Sequence, residues 1–301
     1  MTEILEDYVR AVAKNVPYPI ADPIDLVIGG GAFNGAYGLG AVLVVRELEK
    51  QKKLRIERVS GCSVGGLLAL SYFKDISREV ENAFSAMREC LRTKGCMCDL
   101  RTTIAALVER AFPGDESPAV LDGRLFLTHT DLDAMSCVVT STYPSKDALV
   151  DALFRSAYVP MLIDGGVTLD DKYVDGVVPH LFKDGKRDSL YINLVDYSTV
   201  IKAVVTRNEA NPHYRVMQGA ADASHFFVEG NSRMCSWVSR WGMAKFGIHR
   251  MIFLISTIVV LLVRYISRLT PPPTLTAQPV VRLVTSTLVD LLRDLVYALS
   301  A

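Results

Sequence analysis

The chain has 301 residues, half of them hydrophobic and 22% charged, which is enough for a sizeable core and too apolar for a disordered chain. That length fits one large domain with an appendage. Lys plus Arg equals Asp plus Glu at 33 each, a balance that argues against a dedicated nucleic-acid binder while leaving a local basic patch open.

Met1–Arg10 carries three acidic residues and no apolar run, so a cleaved secretory signal is not expected. Cys62, Cys90, Cys96, Cys98, Cys137 and Cys235 form no C-x-x-C pair and have no His partner at zinc spacing. Reduced thiols in a cytosol-facing protein are expected, with no metal and no cofactor. Only proximity singles out Cys96 and Cys98.

In chain order, Ile4–Val16 repeats apolar residues at helical spacing and ends at Pro17 and Pro19. Ile24–Ile28 reads as a buried strand entering Gly29-Gly30-Gly31. Ala36–Leu48 is apolar on nearly every side, as a buried helix is. Arg55–Ser60 is a second strand and Val64–Phe73 a second buried helix, an order that implies parallel strands in a doubly wound α/β layer. Residues 77–111 read as helical up to the Pro113-Gly114 break. Leu125–Thr142 contains a strand at Ser136–Thr140, Asp147–Tyr158 is helical, and Leu190–Val195 is a late buried strand. No internal repeat is present.

Gly61-Cys62-Ser63-Val64-Gly65 fits G-x-S-x-G between a predicted strand and a predicted helix, the context in which a tight turn exposes a serine Oγ. The competing reading is a serine in an ordinary Gly-rich turn. The Gly29–Gly35 turn opens another helix, and the amides of Gly30, Gly31 and Ala32 are candidate donors to a tetrahedral oxyanion. Dinucleotide binding fails on register, because a G-x-G-x-x-G begun at Gly29 ends on Asn34; a phosphate loop fails because no Gly-Lys-Ser/Thr follows. Too little chain precedes the elbow for an α/β-hydrolase topology. His129, His180, His213, His225 and His249 sit in no recognisable motif. An Asp at a Gly turn is the alternative partner for Ser63, and the candidates are Asp164-Gly165-Gly166 and Asp175-Gly176-Val177.

The Gly29–Gly35 turn, the Ser63 elbow and Tyr173-Val174-Asp175-Gly176 together resemble the patatin-like phospholipase family over residues 22–195. The stretches Asp122–Leu125, Ser145–Leu153 and Tyr158-Val159-Pro160 are similar to the animal adipose triglyceride lipase and adiponutrin branch. The resemblance implies a three-layer α/β/α fold with a mainly parallel sheet. It also implies a Ser–Asp dyad without a triad, with Ser63 as nucleophile, Asp175 as general base, and Gly30, Gly31 and Ala32 as the oxyanion hole. Asp164 matches the family's Asp-Gly-Gly letters, but Asp175 follows an apolar strand at the family's spacing. Ala32 and Asn34 depart from the Gly and the basic residue the family often has there; the second departure leaves a phospholipid preference less defined.

Residues 231–270 carry six basic and no acidic residues, leaving 25 basic against 31 acidic over residues 1–230. The neutral total is an acidic body cancelling a basic, apolar tail. Met251–Val263 rises only about 20 Å as a helix, whereas 248–266, with Arg250 and Arg264 snorkelling, reaches about 28 Å against a hydrocarbon core of about 30 Å. A span, a monotopic or interfacial helix and a buried core helix all fit that length. Basic flanks with Trp237 and Trp241 favour an anionic membrane or lipid-droplet surface. Pro271–Pro273 is a stiff spacer before an amphipathic helix at Val280–Leu299.

The expected organisation is an N-terminal helix (1–21), a catalytic domain (22–230), a membrane-associating segment (231–270), and a spacer with its helix (271–301). The expected activity is hydrolysis of fatty-acyl esters of phospholipid or neutral lipid at a membrane, with no nucleic-acid partner. A catalytically weak lipid-binding or scaffold protein and a soluble Ser–His esterase are the rival readings.

Overall fold

Strand β1, Ile24–Ile28, is buried along its whole length, and a strand with no wet face belongs inside a sheet covered on both sides. It pairs in parallel with β2 (Ile56–Cys62) and with β6 (Ser189–Ile192), and β2 pairs in parallel with β3 (Leu125–Asp131). The edges are antiparallel: β4 (Ser136–Thr140) and the two-residue β5 (Tyr173–Val174) run against β3, and β7 (Cys235–Trp237) runs against β6. The order across the sheet is β4-β3-β2-β1-β6-β7, with β5 on β3. The computed structural model describes residues 3–16, 22–31, 34–182, 184–195, 212–230 and 232–268. Ala32, the Pro271–Pro273 spacer and the expected Val280–Leu299 helix lie outside them.

The period of two along each strand sorts the sheet into two faces. Leu26, Ile28, Val59, Leu125, Leu127, Leu190 and Ile192 join the core formed with the helices α1 (Glu3–Asn15), α2 (Gly35–Lys50), α3 (Val64–Phe73), α4 (Ser77–Lys94), α5 (Leu100–Ala111), α6 (Lys146–Ser156) and α7 (Pro212–Glu229). Val27 and Tyr191 point the other way, into a smaller cluster with Leu181, Phe182 and Trp241, against which Phe126 and Phe246 pack. This far side is covered by the strip of residues 176–182 with Asp184 and by α8 (Met243–Arg268). The three layers expected of the chain are therefore present.

The expected helix over 77–111 is two helices. Gly95 takes φ 69° and closes α4, and α5 starts anew at Leu100. The last parallel strand stops at Ile192, because the Asn193 side chain donates to the Val195 carbonyl at 2.7 Å and turns the chain. Leu125–Asp131 is itself a strand, paired with Ser136–Thr140 in a hairpin. Two elements were not legible. In α7 the buried face is Val216, Ala220, Ala223 and Phe226, too rich in small residues to stand out. Strand β7 has three residues, too few for an alternation, so the sheet takes its last strand from beyond residue 230.

One ion pair is built into the sheet. Asp25 on β1 is fully buried and is held by Arg58 on β2 through two bonds, Nε to Oδ1 at 2.9 Å and Nη2 to Oδ2 at 2.6 Å. Arg58 also meets Asp184 at 2.9 Å and lies 4.2 Å over the Phe182 ring, so it pins the strip to the sheet. Losing Arg58 strands a buried carboxylate, whereas losing both partners does not. R58M is expected to cost about 3–5 kcal/mol of unfolding free energy, and the D25L/R58M double variant to recover much of it, as measured by urea unfolding.

Candidate active site

Ser63 sits between the end of β2 and the start of α3 with φ 54° and ψ −132°, a conformation a side-chain-bearing residue rarely adopts. The turn closes only because its glycines are bare. A Cβ on Gly61 would stand 2.4 Å from the Gly65 carbonyl oxygen, and one on Gly65 would stand 2.5 Å from the carbonyl oxygens of Ile28 and Gly29. The N-terminus of α3 thus rests directly on the end of β1, with Ser63 at its amide end.

The other half of the site comes from the end of α6. The Ser156 carbonyl accepts from the Ser63 N–H at 3.0 Å and from the Gly176 N–H at 3.1 Å, and Ser156 Oγ also accepts from Ser63 N–H at 3.0 Å. The Tyr158 carbonyl accepts the Asp175 N–H at 2.9 Å. The Thr130 hydroxyl, from β3, donates to the Asp175 carbonyl at 2.9 Å. Nothing in the sequence around Ser156 marked this role.

Asp175 is buried, with 9% of its surface exposed. Its Oδ1 accepts from Val177 N–H at 2.8 Å, which Val177 makes by taking φ 52°. Its Oδ2 is buried without a donor at full hydrogen-bond geometry, yet the Ser63 hydroxyl lies close enough to lower the pKa. Burial is the larger effect and raises it to about 6; the Ser63 hydroxyl and the Val177 amide pull the other way. The result is a buried carboxylate poised near neutrality beside a serine on a strained turn.

The sequence profile described as patatin-like phospholipase matches residues 26–179, just over half of the chain and including both residues. The chain belongs to the patatin-like phospholipase family. Comparison with curated proteins gives no match. Membership makes the patatin-like domain a lipid acyl hydrolase of the esterase and lipase kind.

Within the patatin-like domain, Asp164 stands apart from the pair. It is exposed, and its Oδ1 accepts from the Tyr158 hydroxyl at 2.6 Å and from Gly166 N–H at 2.8 Å, the contacts of a turn residue. The histidines have other neighbours. His129 lies edge-on to Tyr173, His180 stacks on Phe126, His213 meets Glu81, His225 meets Glu229, and His249 packs on Tyr191 and Trp241.

Of the expected oxyanion donors, Gly30 passes beside Ser63: a Cβ there would lie 3.3 Å from Ser63 Cβ. Its N–H also meets the buried Cys62 thiol, whose pKa burial drives well up. Gly31 is buried against Leu194, and Ala32 lies outside the described residues. Asn34, buried to 2% exposure, donates to the Leu194 carbonyl at 2.9 Å and accepts from Arg215 of α7 at 2.7 Å. A guanidinium therefore reaches the Gly-rich turn from a helix that the sequence did not reveal.

The raised pKa of Asp175 sets a sign for stability. The unfolded carboxyl titrates near about 3.9, so folding favours the protonated form. The stability from this group is complete below about pH 4 and lost as pH rises through 6. At about pH 8 the charged group costs on the order of 3 kcal/mol. D175N is expected to unfold at higher urea than wild type at about pH 8, with the difference shrinking toward about pH 4.5.

Proposed function

We propose that this chain cleaves fatty-acyl esters of phospholipid or neutral lipid through a Ser63–Asp175 dyad and an acyl-enzyme. The observation that carries this reading is the pairing of a serine on a strained elbow with a buried carboxylate whose pKa is about 6. Asp175 accepts the Ser63 Oγ proton as Oγ attacks the ester carbonyl carbon. The amides of Gly30, Gly31 and Ala32 receive the oxyanion, and the alcohol leaves with the proton returned by Asp175. Water then attacks the acyl-enzyme, giving one proton to Asp175, which passes it to Ser63 as the fatty acid departs. The Asp122–Leu125, Ser145–Leu153 and Tyr158-Val159-Pro160 stretches support a place in the animal adipose triglyceride lipase and adiponutrin branch.

S63A and D175N are each expected to lower fatty-acid release from phospholipid and triacylglycerol vesicles at least about a hundredfold, while D164N keeps most of it. Wild-type rate rises with pH through about 6, because Asp175 must be ionised to take the proton. Unchanged turnover in S63A sinks the assignment. Vesicle binding by a wild-type chain that fails to label with a fluorophosphonate would favour the scaffold reading instead.

We also propose that α8 lies on a membrane surface instead of crossing it. Met243–Tyr265 is long and apolar enough to span, with mean hydropathy 2.2. Yet Thr257 and Val263 are buried, and Arg264 reaches Asp133, in the β3–β4 turn, at 3.6 Å. Ile248, Met251, Ile255, Ile258, Leu262 and Tyr265 form the exposed ridge, each at least 45% exposed. A helix with one side on its own domain and an apolar ridge outward suits an interface, and exposed Arg233, Arg240 and Arg250 suit anionic headgroups. The β3–β4 turn leaves the same end of β3 that faces Ser63, so this surface would bring the site to lipid. The division into a catalytic body and a membrane-facing segment goes with this reading. An I255E/I258E variant is expected to stop floating with anionic vesicles while keeping its rate on a soluble short-chain ester; flotation at the wild-type level contradicts the surface assignment.

A further inference from the structure

Away from Ser63, the break between α4 and α5 gathers three of the six cysteines. Cys90 lies in the last two turns of α4 and is buried to 7% exposure. Gly95 reverses the chain so that Cys98 and Asp99 come back beside it. Cys90 Sγ is 3.9 Å from Cys98 Sγ and 3.6 Å from Asp99 Oδ2, and Cys98 Sγ is 3.9 Å from Asp99 Oδ1. Cys96 stands two residues before Cys98 in the same loop. Lys94 Nζ bonds Asp99 Oδ2 at 2.6 Å.

These spacings have a simple geometric meaning. Zn–S bonds of about 2.3 Å and Zn–O bonds of about 2.0–2.2 Å give donor-to-donor edges of roughly 3.5–3.8 Å in a tetrahedron. One donor atom each from Cys90, Cys98 and Asp99 falls within 4.8 Å of the others, so closing on an ion asks only small side-chain rotations. A disulfide would need the sulfurs at about 2.05 Å, nearly 2 Å closer than Cys90 and Cys98 stand.

We propose that Cys90, Cys98 and Asp99 form three corners of a tetrahedral site for a thiophilic divalent ion of the zinc type, and that Cys96, two residues from Cys98, turns in to complete it. Binding forms three metal–sulfur bonds and one metal–oxygen bond, with three thiol protons released to solvent and no change of oxidation state. Three thiolates and a carboxylate around a dication leave a net charge of −2, and Lys94, already on Asp99, offsets part of it. The role is structural. The same loop is tied to the active-site platform, because Met97 N–H donates to the Leu162 carbonyl at 2.8 Å, four residues beyond Tyr158, whose carbonyl holds Asp175. An ion here clamps the α4–α5 corner on which that platform leans. C-x-C-D with a cysteine six residues upstream is not a standard zinc spacing, and the third thiol comes into range only through the turn at Gly95.

The test uses the full chain in detergent, reduced and stripped with a chelator, then titrated with Co²⁺. One Co²⁺ per chain is expected, giving a thiolate-to-metal charge-transfer band and the visible bands of tetrahedral cobalt, both erased by Zn²⁺. C98S, at an exposed position, is expected to lose the charge-transfer intensity of one thiolate and weaken Co²⁺ binding at least about tenfold, and C90S/C98S to abolish it. Far-UV circular dichroism checks that both variants stay folded. Wild type without a thiolate–cobalt band, a band unchanged in C98S, or a Cys90–Cys98 disulfide in the chain purified without reductant each overturns the site.

Discussion

One carbonyl oxygen joins the two halves of the candidate site. The Ser156 C=O takes the amide of Ser63, at the end of one strand, and the amide of Gly176, next to the buried acid. Because a carbonyl has two lone pairs, it can serve both, and neither partner can shift without losing a buried hydrogen bond. Gly176 fits only as glycine, since a Cβ there would lie 2.3 Å from the Thr128 carbonyl oxygen. The proposed dyad has no imidazole to bridge a gap, so its two side chains must be placed by the backbone itself. The strained Ser63 elbow persists because this network over-determines it.

The second constraint is electrostatic. Burial raises the Asp175 pKa toward neutrality, which makes it a better proton acceptor and also a charged group in a poor solvent. Under the proposed mechanism, activity and stability pull on that one carboxyl in opposite directions. The sheet meets its other buried carboxylate differently: Asp25 has Arg58 as a bidentate partner, whereas no cation is among the groups that set the Asp175 pKa. A cation there would hold Asp175 ionised and lower its basicity.

What was legible in the sequence follows from the length scale of each signal. The elbow, the Gly turn and the first two strand–helix units are local, so periodicity and glycine spacing exposed them. The resemblance singled out Asp175 over Asp164 by context, and the two carboxylates do differ in kind: one is buried beside Ser63, the other sits in an exposed turn with Tyr158. Ser156 and Arg215 act over separations of 93 and 181 residues, through a backbone carbonyl and a guanidinium that carry no local motif. The three-residue β7 and the alanine-rich face of α7 lacked a period strong enough to read. The balanced net charge concealed an asymmetry that the fold makes physical, with the basic, apolar segment 232–268 laid along one face of the sheet.

The rate at which a fluorophosphonate labels Ser63, followed from about pH 4.5 to 8.5, tests the dyad most directly, since labelling needs only the nucleophile and its base. The rate in wild type should rise with a midpoint near 6 and level off, and D175N should label at least about a hundredfold more slowly at every pH. A wild-type profile without that midpoint, or rapid labelling of Ser63 in D175N, would show that another group activates the serine.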